Sequence, residues 1–216
     1  KFIFENGEYY IGEFKNSLRN GKGILYYKNG RLIDFGDFVG DKFEGSGNIA
    51  YQIYDYYIGE WKEGIRHGKG ILCYKNGDKY IGDWINDKVD GYGIAYYENG
   101  GYYIGEFKNG SKHGKGIIYY KNGNIKYEGD FINNKAEGNG KCIFENGDYY
   151  IGEFKNGSKH GKGIIYYKNG NIKYEGDFIN NKAEGNGKCI FENGDYYIGE
   201  FKNGSKHGKG IIYYKN

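Results

Sequence analysis

The sequence runs to 216 residues with a formal net charge of +3, and it contains 41 Gly, 27 Tyr and 13 Phe but neither Pro nor Met. Glycine near one residue in five, with aromatics at 19%, excludes the aromatic-poor composition of disordered chains and points to many turns joined by short aromatic strands. No apolar run approaches the ~20 residues of a membrane-spanning helix, and the start carries no signal-peptide pattern.

Read along the chain, the tripeptide Gly-Glu/Asp-aromatic begins at Gly12, Gly36, Gly59, Gly82, Gly105, Gly129, Gly152, Gly176 and Gly199, at intervals of 23 or 24 residues. The units so defined span residues 10–33, 34–56, 57–79, 80–102, 103–126, 127–149, 150–173, 174–196 and 197–216, one continuous array. With no initiator Met, and with Tyr214, Lys215 and Asn216 where earlier copies continue into Gly, the sequence reads as part of a longer chain cut within a repeat.

Each unit has the form Tyr-x-Gly-acid-aromatic, a connection, Gly-x-Gly, an apolar and aromatic run, then usually Asn-Gly. In the seventh these are Tyr150, Gly152, Glu153, Phe154, Gly161, Gly163, Ile164 to Tyr167, and Asn169-Gly170. Two short runs joined by a turn predict a β-hairpin, and Asn-Gly predicts a two-residue type I′ turn. Five residues after each tripeptide glycine stand Ser17, Asp41, Gly64, Asp87, Gly110, Asn134, Gly157, Asn181 and Gly204, types that tolerate left-handed backbone, so a second turn is expected there. Alternation places Tyr150, Gly152 and Phe154 on one face and Ile151 and Glu153 on the other, the glycine leaving a gap for a ring from a neighbouring strand. Units of 24 residues carry their extra residue in the connection, as in Gly123 to Tyr127, where a turn or bulge must absorb it. The expected fold is all-β: an elongated, single-layer antiparallel sheet of consecutive β-hairpins, about eighteen strands in all.

Tyr150-x-Gly152-x-Phe154 followed by His160-Gly161-x-Gly163 resembles the MORN (membrane occupation and recognition nexus) repeat, and the resemblance covers nearly the whole chain. Departures are Asp34 in place of Tyr, Asn20 in place of His, and Trp only at Trp61 and Trp84 after the acid. The resemblance implies a single-layer sheet with an aromatic-lined groove and repeats that are not themselves catalytic. Similar proteins serve as scaffolds in ciliary radial spokes and parasite division machinery, in junctophilins, and as accessory regions of lipid kinases and a lysine methyltransferase. It also implies binding of partner helices, dimerisation or phospholipid binding.

Repetition decides how the remaining constellations read. Gly-x-Gly stretches can cradle phosphate, but a phosphate loop occurs once and precedes a helix. His113, His160 and His207 fall two hairpins apart, about 19 Å, too far for one metal ion. The same distance separates Cys142 from Cys189, and with Cys73 they read as free thiols of a reducing compartment. The nine tripeptide acids, Glu13 to Glu200, suit cross-strand pairing with lysines such as Lys162 rather than a hydrolase pair. Lys and Arg minus Asp and Glu for the units in order is +4, −4, +2, −3, +4, −3, +4, −3 and +3, so basic and acidic hairpins alternate. That banding, with a pI of about 8.4, argues against nucleic acid, which calls for a continuous basic stripe.

No catalytic, metal or cofactor site is expected. The expected partner surface is the ring-bearing face, through Tyr57, Trp61, Tyr80, Trp84, Tyr103, Phe107, Tyr150, Phe154, Tyr197 and Phe201, rings too numerous for a one-layer sheet to bury alone. Partners would be proteins, a helix or a second copy. Lys108, Lys112, His113, Lys115, Lys155, Lys159, His160 and Lys162 are the candidates for contact with anionic phospholipid headgroups. The leading expectation is a non-enzymatic, cytoplasmic, cytoskeleton-associated scaffold. The alternatives are a peripheral module at the cytoplasmic face of a membrane and a positioning region of a larger enzyme.

Overall fold

The computed structural model describes residues 1–51 and 55–215, with residues 50 and 51 described by backbone alone. Residues 52–54 of the second sequence unit therefore lie outside the described residues. Those described form nineteen strands and no helix. The chain divides into two compact units, Lys1–Ser111 and Lys112–Asn216.

The first unit holds β1 (Phe2–Ile3), β2 (Tyr9–Lys15), β3 (Leu18–Tyr26), β4 (Leu32–Val39), β5 (Lys42–Tyr51), β6 (Asp55–Lys62), β7 (Ile65–Cys73), β8 (Lys79–Ile85), β9 (Lys88–Tyr96) and β10 (Tyr102–Lys108). Each pairs antiparallel with the next. The second unit holds β11 (Ser111–Tyr119), β12 (Ile125–Ile132), β13 (Lys135–Ile143), β14 (Tyr149–Lys155), β15 (Ser158–Tyr166), β16 (Ile172–Ile179), β17 (Lys182–Ile190), β18 (Tyr196–Lys202) and β19 (Ser205–Tyr213), again each paired antiparallel with its successor.

Two kinds of turn alternate. The turns five residues after the tripeptide glycine are type I′, with positive φ at both central residues, 52° and 83° at Asn156 and Gly157. The Asn-Gly connections are not type I′, which corrects the sequence expectation. At Lys168-Asn169-Gly170 the Gly170 amide donates to the Tyr167 carbonyl (2.9 Å), the Tyr167 amide donates to the Asn171 carbonyl (2.9 Å), and only Gly170 has positive φ, 89°. This is a three-residue loop, a type I turn closed by a left-handed glycine. Asparagine is there for its side chain: Asn169 Oδ1 accepts the Asn171 amide at 3.0 Å.

The strands are in register through their glycines. Gly140, Gly152, Gly163, Gly176, Gly187, Gly199 and Gly210 pair in succession across the second unit. The first unit has the same row from Gly12 to Gly105. Tyr150 lies flat across Gly152 and Gly163, so that a methyl group on either would overlap its ring. The ring covering the gap thus comes from the glycine's own strand and spans to the neighbour. Its hydroxyl donates to the Glu153 carbonyl at 2.9 Å.

Tyr150 meets Phe154 and Phe178 edge-to-face at 5.2 and 5.1 Å, and Tyr174 meets Phe178 and Phe201 likewise at 5.1 and 5.0 Å. The first unit repeats the ladder, as where Tyr57 meets Trp61 and Trp84 at 5.0 and 5.2 Å. These rings are the core: every one of the ten expected to stay open for a partner is 0–8% exposed. A single layer can bury them because each tyrosine lies on glycine instead of standing on the sheet, leaving its edges to the next rings. Where Asp34 replaces the tyrosine, Phe43 from β5 lies over Gly36 and Gly47 in its stead.

The first glycine of Gly-x-Gly opens a bulge. At Gly161, φ 57°, the β14–β15 register shifts between Gly152 and Phe154, and Glu153 Oε1 accepts the stranded Lys162 amide at 3.0 Å. Glu60 and Asp83 do the same for Lys69 and Tyr92, at 3.0 and 2.8 Å. The extra residue of the 24-residue units is absorbed as expected: the register shifts again at Ile118/Tyr119 and Ile165/Tyr166, opposite Lys126 and Lys173.

Candidate functional site

The sequence-predicted basic candidates do not converge on one patch. Lys115 and Lys162 project from the face opposite the rings and pair with Asp130 and Asp177 on the next strand, at 2.7 and 3.5 Å. Lys22–Asp37 and Lys69–Asp83 repeat the arrangement. The expected lysine–acid pairing thus holds for the aspartates of the acidic hairpins, while Glu60 and Glu153 of the basic hairpins serve the bulges. Exposed pairs of this kind contribute little each, and they fix the neighbouring bands against one another.

Lys159 projects to the other face. It is half-buried, with its ammonium 5.0, 5.6 and 5.7 Å from the ring centroids of Phe144, Tyr150 and Phe178. Burial pushes its pKa below the usual lysine range. Lys108 and Lys155 are exposed, while Lys112, His113 and His160 are half-buried.

Burial pushes the Tyr80, Tyr103, Tyr127 and Tyr150 hydroxyls well above their ordinary range and Tyr174 up to about 12, so they remain donors to backbone carbonyls. The Cys142 and Cys189 thiols are also raised by burial, and all three cysteines are free. No group of three or more His, Cys, Asp or Glu able to hold a metal ion occurs among the described residues.

What sequence reasoning missed lies where this face meets the three-residue loops. In the second unit an open groove of about 940 Å³ is lined by Tyr120, Ile125, Ile143 and Phe144. A second, of about 910 Å³, is lined by their counterparts 47 residues on, Tyr167, Ile172, Ile190 and Phe191. The tyrosines are fixed by their hydroxyls, which donate to the carbonyls of Ile143 and Ile190 at 2.9 and 3.0 Å. In the second groove Asp148 staples adjacent loops, accepting the Lys168 amide at 3.1 Å and the Lys173 ammonium at 2.8 Å. The Lys173 bond holds the Asp148 carboxyl below its usual range. The signal for these grooves was the letter-for-letter repetition of Tyr-Tyr-Lys-Asn-Gly-Asn-Ile and Ile-Phe-Glu-Asn-Gly.

Comparison with known proteins bears on the family. None of the curated proteins matches the chain. Among solved structures, it is similar to the TCP domain of SAS-4 (dCPAP) of Drosophila melanogaster in complex with a proline-rich motif of Ana2 (dSTIL), at 14% identity over 96% of this chain and 90% of that one, with a TM-score of 0.30. So distant a likeness carries no argument about function. The MORN repeat profile matches residues 10–30, 57–79, 80–102, 103–125, 127–149, 150–172, 174–196 and 197–216, passing over the hairpin in which Asp34 replaces tyrosine. With eight repeats matched over most of its length, and with the ring-on-glycine hairpins that carry the pattern, the chain belongs to the MORN repeat family.

Proposed function

We propose that the chain is a non-enzymatic scaffold that binds protein segments in its loop-edge grooves, presenting the same site at intervals of two hairpins within a cytoskeletal assembly. The observation that carries this reading is the pair of grooves with identical aromatic and aliphatic linings 47 residues apart. Repeated equivalent sites suit a partner that is itself repetitive or is bound more than once. The ten ladder rings shape the face from beneath, and contact with the partner passes to Tyr120, Phe144, Tyr167 and Phe191. Binding through exposed basic residues to an anionic leaflet is the competing use of such repeats, and it predicts dependence on Lys108, Lys155 and Lys162 instead.

The test compares the full chain with an Ile125→Ser, Ile172→Ser double variant and with each single variant. Partner is recovered from cell extract after detergent, and its stoichiometry is measured on the purified pair. The double variant is expected to lose binding at least tenfold, and each single variant to halve the stoichiometry. Unchanged recovery by a folded double variant refutes the reading. So does capture that vanishes in detergent and returns with phosphatidylserine vesicles.

A further inference from the structure

The two units differ at one recurring position on the ring-bearing face, seven residues after the tripeptide glycine of each basic hairpin. In the first unit this position holds Arg19 and Arg66. The Arg19 guanidinium lies 4.9 Å from the Phe38 ring centroid, its Nε donates to Asp41 Oδ1 at 3.0 Å, and its Nη2 donates to the Asp41 carbonyl at 2.9 Å. Arg66 stands 4.4 Å over Trp84 and makes the same two bonds to Asp87, at 3.0 and 2.9 Å. Both arginines are thus neutralised by an aspartate of the next hairpin.

In the second unit the aspartate becomes asparagine, Asn134 and Asn181, and the arginine becomes lysine. The turn bond survives, since Asn181 Oδ1 accepts the Lys159 amide at 2.8 Å just as Asp41 Oδ1 accepts that of Arg19 at 2.8 Å. The charge pairing does not. Lys159 remains against Phe144, Tyr150 and Phe178. Among the described residues the Lys159 ammonium has no carboxylate within ion-pairing distance. Lys159 abuts the first groove, because Phe144 lines it.

We propose that Lys159 receives a carboxylate of an acidic protein segment that crosses the strands of the second unit and seats an apolar side chain in the groove beside Phe144. This rests on the scaffold reading and names the chemistry of its partner. A half-buried ammonium over aromatic rings is held away from water without a counter-charge, and an incoming carboxylate supplies one. The first unit, already neutralised by Asp41 and Asp87, should not select for acid.

The probe is a synthetic peptide carrying a Glu-Leu-Glu cluster, titrated into the full chain at low and physiological salt, with a Gln-Leu-Gln peptide as control. Expected are preference for the acidic peptide, at least tenfold loss of affinity in Lys159→Gln and in Lys159→Ala, and an upward shift of the Lys159 pKa on binding. Asn181→Asp, which installs the carboxylate that the first unit carries, should cut affinity several-fold without disturbing the fold. Conversely, Asp41→Asn, which frees Arg19, should add acid-dependent binding in the first unit. Equal affinity for both peptides, or indifference to Asn181→Asp and to the lysine variants, overturns the proposal. Binding of phosphatidylserine vesicles in place of the peptide, with the same sensitivity to these variants, overturns it in favour of lipid. If the lysine variants are silent while Ile125→Ser with Ile172→Ser still releases the native partner, this inference fails and the scaffold reading stands; if both sets are silent, both fail.

Discussion

Replacing Gly163 with alanine tests the idea that paired glycines exist to let a tyrosine lie down. The added methyl group would overlap Cε2, Oη and Cζ of Tyr150, whose ring is fully buried. Tyr150 must then lift, loosening its 2.9 Å hydroxyl bond to the Glu153 carbonyl and its edge-to-face contacts with Phe154 and Phe178. Losing the hydrogen bond costs about 1 kcal/mol and loosening two ring pairs about 0.5–1.5 kcal/mol each, so the variant should lose roughly 2–4 kcal/mol. Elsewhere in a strand, alanine is the better residue by about 0.5–1 kcal/mol, so the sign itself discriminates. The assay is urea unfolding of a double-mutant cycle, with hydrogen exchange to localise the loss to strands near β14 and β15. In a Tyr150→Ala background the methyl group meets no ring, and the cost of Gly163→Ala should fall below about 1 kcal/mol. Equal cost in both backgrounds, or a stabilised single variant, would refute the ring-on-glycine account.

Two further predictions concern acids that the repeat uses differently. Asp34 is buried where other hairpins place the ladder tyrosine, its Oδ1 has no hydrogen-bond partner, and burial raises its pKa to about 6. The folded state therefore holds this proton more tightly than the unfolded chain, so its contribution is most favourable below about pH 4 and declines by up to about 3 kcal/mol as pH rises to about 6. Asp34→Asn should remove that part of the pH profile of stability and stabilise the protein at pH 7, and an unaltered profile by urea titration would count against it. Glu153→Ala strands the Lys162 amide in its bulge, and exchange of that amide should quicken roughly five- to tenfold while the Gly163–Gly176 pairing stays protected. Unchanged exchange at Lys162 would show that the carboxylate does not hold the bulge.

Much of the fold was legible because its signals are local. Alternation in Tyr150 to Phe154 assigns faces without knowledge of any neighbour, and left-handed residue types mark the turn at Asn156-Gly157. The Asn169-Gly170 turn was misread because a two-residue and a three-residue loop differ only in where the flanking strands begin to pair, which the dipeptide does not encode. The lysine–aspartate pairs were legible in kind, but not the diversion of Glu153 to a backbone amide, since the bulge that strands this amide arises from cross-strand register.

Sequence by itself determined the hairpin period, the alternation of basic and acidic hairpins, and the family, because each resides in residue order and repetition. Tertiary structure alone decided that the rings are core and not an open surface. Burial depends on what lies above and beside a ring, and Tyr150 is covered by Phe154 of its own strand, Phe178 two strands away and Lys159 from the strand between. It alone also showed that Arg19 is neutralised by Asp41 while Lys159 has only Asn181, since the two members of each pair stand 22 residues apart and meet only when neighbouring hairpins pack side by side.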